Sequence, residues 1–109
     1  MKYVLLIYAP AEGEPDSEML KKHQAFVENI GRRGLLIDGA ELSDPSVTTT
    51  IRMRGNELLI TDGPYAETKE HLGGFYIVEC TDLDQAIDVA RLVPVVKEGA
   101  VEVRPLIER

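Results

Sequence analysis

Residues 2–9 (KYVLLIYA) alternate so that Tyr3, Leu5 and Ile7 share one face of an extended segment and Val4, Leu6 and Tyr8 the other. Both faces are apolar, so the pattern predicts a strand, closed by Pro10, that needs cover on both sides. Ala11 to Glu14 reads as a loop. Pro15-Asp16-Ser17 then opens a helix, with Asp16 or Ser17 as its N-cap. Met19, Leu20, His23, Phe26, Val27 and Ile30 recur at helical steps and form the stripe of an amphipathic helix. Gly31 and Gly34 bracket its end, where Arg32 and Arg33 complement the C-terminal dipole.

Leu35 to Ala40 reads as a second strand. From Val47 the alternation is clean: Val47, Thr49, Ile51 and Met53 on one face, Thr48, Thr50, Arg52 and Arg54 on the other. Gly55-Asn56 supplies a turn and Glu57 to Thr61 the return strand, predicting a hairpin with one solvated face. Asp62 to Leu72 (DGPYAETKEHL) is the least regular segment and the richest in functional groups. Phe75 to Cys80 is a further strand, apolar on nearly both faces. Asp82 and Gln85 form a capping pair for a second helix with a stripe of Leu83, Ala86, Ile87 and Ala90, bounded by Pro94. Val101 to Leu106 is the last strand.

The order is β-α-β, hairpin, β-α-β. It predicts an α+β chain: a ferredoxin-like split β-α-β with an inserted β-hairpin, one domain over residues 1–109. Two helices cover only one face of a four-stranded sheet, yet two strands are apolar on both. A bare apolar face of that size is unusual for a soluble monomer. A two-fold partner presenting the same face would close the sheets into a barrel-like sandwich, so the pattern predicts a homodimer.

Composition narrows the class without adding chemistry. The 109 residues, 44% hydrophobic and 28% charged, suit one globular domain. Nineteen acidic against twelve basic residues leave a net charge of −7, which argues against a nucleic-acid partner. No apolar run approaches a membrane span, and Met1-Lys2 leads into a strand with no signal-peptide pattern, so no membrane partner is expected. The single Cys80 precludes an internal disulfide framework and fits a cytoplasmic location.

His23 lies on the apolar stripe, away from Lys21, Lys22 and Glu28. It is either a core histidine bonded to a backbone carbonyl or a site histidine whose carboxylate partner makes it an acid/base. Asp62, before Gly63-Pro64, either bonds its own turn, with Gly63 at positive φ, or orients His23 as a His–Asp pair. In the second reading these two are the catalytic residues, and Tyr65 and Glu67 project from the same loop as substrate-binding groups. His71 is expected on the loop surface. Two separated histidines and one cysteine form no metal-ligand pattern, and neither a nucleophile elbow nor a phosphate-binding glycine loop is present, so no cofactor is expected. Arg52, Arg54, Lys69 and Arg104 either meet an anionic ligand or are simply solvated.

The run TDGPYAETKEHLGGFYIVE, Thr61 to Glu79, resembles the signature of the YCII-related superfamily in its DGPF-domain branch, with Tyr65 where that branch usually has Phe. The opening MKYVLLIYA, the closing VEVRP and the length match as well. The resemblance implies a ferredoxin-like fold that dimerises as an α/β barrel. It also implies links to extracytoplasmic-function sigma factors and, in a few relatives, action on chlorinated hydroxyquinones through a His–Asp pair. His23 matches the histidine of that pair. Its Asp-Pro partner, however, falls on Val93-Pro94 here.

Two functions follow. One is an enzyme acting on a small aromatic or oxygenated molecule, with His23 as acid/base and Asp62 orienting it. The other is a non-catalytic module binding a ligand or a protein such as a sigma factor.

Overall fold

A computed structural model describes residues 1–10, 17–66 and 69–109. The strands are β1 (Lys2–Pro10), β2 (Leu36–Glu41), β3 (Thr49–Arg54), β4 (Glu57–Asp62), β5 (Glu70–Glu79) and β6 (Ala100–Pro105), and the helices are α1 (Ser17–Arg32) and α2 (Leu83–Ala90). Short 3-10 turns occupy Pro45–Val47 and Pro94–Lys97. β2-β5-β1-β6 form one sheet in that order, antiparallel at every pairing, while β3 and β4 pair only with each other. The fold is α+β, and its order is compatible with the ferredoxin-like plan.

One sheet face carries the core. Tyr3, Leu5 and Ile7 stand opposite Val78, Tyr76 and Gly74 of β5 and beside Val103 and Val101 of β6. Phe26 and Ile30 of α1, Ala86, Val89 and Ala90 of α2, and Val93 and Val95 after it close over that face. Asp82 caps α2: its Oδ1 accepts the Gln85 N–H at 2.9 Å, and Gln85 Oε1 accepts the Thr81 N–H at 2.7 Å. Val4, Leu6, Tyr8, Phe75 and Ile77 fall on the other face and remain half-buried, with no helix over them.

Four sequence expectations need correction. The α1 stripe is fully buried only at Phe26 and Ile30, Met19, His23 and Val27 are half-buried, and Leu20 is exposed. The buried stripe of α2 uses Val89 rather than Leu83, which is exposed. β5 begins at Glu70, so His71 is a strand residue and not a loop residue. The hairpin has two solvated faces: Ile51, Met53, Leu58 and Ile60 are 64, 63, 58 and 62% exposed. It packs chiefly on itself and gives the molecule extents of 47 × 39 × 18 Å and a radius of gyration of 15.8 Å. A compact chain of this length has about 13 Å. The expected helix opening at Pro15-Asp16 and the candidate Glu67 lie outside the described residues. No helix among the described residues is long and apolar enough to cross a membrane.

Candidate functional site

α1 sets His23 one turn before Phe26, at the point where the helix crosses the β2 side of the sheet. Strand alternation puts Tyr76 on the helix-facing side of β5, opposite Leu5 on one flank and Gly39 on the other. The missing side chain at Gly39 is what lets the ring lie there: a Cβ at that position would sit 2.6 Å from Tyr76 Cδ1. Phe26 packs on the same ring, with centroids 5.0 Å apart and planes tilted by 55°. Between these contacts the Tyr76 hydroxyl meets His23 Nδ1 at 3.2 Å.

Electrostatics sets the protonation states. Burial lowers the His23 pKa below 6.5, an effect the Glu41 carboxylate opposes only in part. Burial and then the Glu41 charge raise the Tyr76 pKa above 10. At neutral pH the pair is therefore a neutral imidazole beside an intact phenol. With Tyr76 donating to Nδ1, the ring hydrogen sits on Nε2, and the two groups can accept and supply a proton within one hydrogen bond.

The structure does not bring Asp62 to His23 within the chain. Asp62 ends β4 opposite Thr49 and is exposed, whereas His23 bonds to Tyr76 and takes its charge influence from Glu41. The turn after Asp62 instead folds over the polar face of the hairpin. The Gly63 N–H donates to Thr48 O at 2.7 Å, and Thr50 Oγ1 donates to Gly63 O at 2.7 Å. Gly63 takes φ +100°, as its place in the turn requires. Tyr65, 74% exposed, lies beneath the Arg52 guanidinium at 5.0 Å. Val93, where the family pair would place Asp, is fully buried in the core.

Two cavities lie elsewhere. One, of about 270 Å³, sits at the root of the hairpin among Leu42, Asp44, Val47, Thr48, His71 and Leu72. Asp44 there is held below its ordinary pKa, first by the Ser46 N–H and, more weakly, by His71. The other, of about 470 Å³, runs beside α1 between Lys22, Phe26, Arg91, Val96 and Lys97. Neither is lined by His23. Among the described residues no group of three or more His, Cys, Asp or Glu is placed to hold a metal ion. Sequence reasoning missed Tyr76 and Glu41, because only the register of β2 and β5 brings them beside His23. The one advance signal was a tyrosine on the same strand face as Val78.

Residues 1–109 match the family model described as the YCII-related domain. A protein of Rhizobium meliloti (strain 1021), named as an uncharacterized protein, is 37% identical over 95 residues, covering 85% of this chain and 77% of its own length.

Proposed function

The chain belongs to the YCII-related family, and from that premise we propose that it is a cytoplasmic homodimer of the DGPF branch that binds a small aromatic or oxygenated molecule at His23 and Tyr76. The 3.2 Å contact between the Tyr76 hydroxyl and His23 Nδ1 carries this reading. A half-buried neutral base beside a protonated phenol is suited to moving a proton on a hydroxylated substrate. Tyr76 thereby takes the partner role first sought in Asp62. The half-buried apolar face of Val4, Leu6, Phe75 and Ile77 supports dimerisation.

The test is an NMR titration of the His23 imidazole in the wild type and in Tyr76→Phe, each with and without catechol as the probe. Catechol should move the His23 resonances of the wild type and bind at least about tenfold more weakly to Tyr76→Phe. His23 resonances indifferent to catechol and to other small phenols would remove the site. A reading without turnover, as a ligand- or protein-binding module, is favoured by one observation: Val93 occupies the family's Asp position as a core residue.

A further inference from the structure

We propose that the β3–β4 hairpin is a docking arm for a second copy of this chain, laying its Ile51, Met53, Leu58 and Ile60 face on that copy. The inference rests on the homodimer reading above and extends it to an element outside the sheet.

Three observations converge. The cross-strand pairs Ile51–Ile60 and Met53–Leu58 form one continuous apolar face, and all four side chains are more than half exposed. Their combined exposed area is on the order of a few hundred Å², the size of the largest patch a typical monomer leaves open. The opposite face is already occupied. Gly63 bonds Thr48 and Thr50 there, and Tyr65 lies against Arg52, so the DGPY turn braces the arm from its polar side and leaves the apolar side free. Finally, the arm packs chiefly on itself. A two-stranded hairpin alone is marginal in water, and order over this length calls for a surface to lie against.

Area and charge identify the occupant. A stable interface takes about 800 Å² from each partner. Val4, Leu6, Tyr8, Phe75 and Ile77 are already half-buried by their own sheet. Being half-buried, these five offer only part of that area, and the arm adds four apolar side chains that are each more than half exposed. Arg52 and Arg54 balance Glu57 and Asp62, so the arm is neutral in a chain of net charge −7. It is thus the part of the molecule that a second acidic copy repels least.

Ile51→Thr/Ile60→Thr keeps β-branched residues in the hairpin while removing apolar surface from its face. Sedimentation should show a dimer in the wild type and a dissociation constant weakened at least about a hundredfold in the double variant. Thr61→Ser, on the opposite face and without change of charge, should leave it within about twofold. In a mixture of differently isotope-labelled wild-type copies, NOEs should connect the Met53 methyl to the other copy, a result independent of any variant's folding. A wild-type dimer with no such NOEs, or with the double variant's constant unchanged, overturns the arm and leaves the dimer standing. A wild-type monomer at micromolar concentration overturns both.

Discussion

β1 and the hairpin carry the same kind of face and meet opposite fates. Tyr3, Leu5 and Ile7 alternate along β1 as Ile51 and Met53 do along β3, with comparable side chains. The first set is sealed beneath α1 and α2, while the second is open to solvent. Alternation states that a face needs cover and is silent about what provides it. In β1 the cover lies on the same chain, delivered by two short connections. For the hairpin no cover lies among the described residues.

The largest expected effect breaks this symmetry directly. Leu5→Ala removes a fully buried side chain from the middle of the core, and should cost about 2–5 kcal/mol. Ile60→Ala removes a similar side chain from the exposed hairpin face, and in the dissociated chain should change stability by no more than about 0.5 kcal/mol. Urea denaturation of both variants, at a concentration where dimer is absent, makes the measurement. Equal losses would mean that the hairpin packs on its own body after all.

Next in size is Gly39→Ala. The new methyl would meet Tyr76 Cδ1 at 2.6 Å and Phe75 O at 2.9 Å, so either the ring or the strand must move. Overpacking of this kind costs about 1–3 kcal/mol. The displaced ring should also carry the Tyr76 hydroxyl away from His23, so the loss of stability should coincide with a change in the His23 resonances. Stability lost with the imidazole unperturbed would separate the glycine from the site.

These two cases show where the sequence was legible. Period-two and helical patterns located every strand and both helices, and Asp82-x-x-Gln85 marked the start of α2 at its actual cap. The pattern erred where burial depends on what lies nearby. Leu83 and Leu20 fit their stripes, yet both are exposed. At the candidate site the stripe turns His23 toward the sheet, where it meets Tyr76, while Asp62, on the hairpin, lies away from it. Tyr76 and Glu41 come beside it through the register of β2 and β5, with an irregularity between Leu36 and Asp38, and single-sequence reading has no access to register.

A smaller effect tests how firmly the cover over β1 is held. Asp82→Ala removes the acceptor for the Gln85 N–H at the start of α2, and should cost about 1 kcal/mol. Hydrogen exchange should then quicken in the α2 amides and leave the hairpin amides as they were. Faster exchange in the hairpin would mean that the two regions unfold as one unit.

The smallest effect is in pH, and it separates the regions by window. Burial holds folded His23 below 6.5, so between that value and its lower folded pKa the unfolded chain binds more protons. Stability conferred by the body therefore falls as pH drops through this window, with nothing further lost to His23 below the folded value. At the hairpin root the direction is the same and the window moves to lower pH. Asp44 is depressed below 3.8 by the Ser46 N–H, so its contribution is present above that value and is lost as pH falls through the lower folded pKa. Denaturation followed from pH 7 to pH 3 should give His23→Gln a flatter profile than wild type in the upper window alone. Asp44→Asn should flatten only the acid end, and weakly, since this carboxylate is solvated. Parallel profiles for wild type and His23→Gln above pH 5 would mean that the imidazole is not desolvated by Tyr76 and Phe26, and with that the basis for a neutral His23 at the candidate site would be gone.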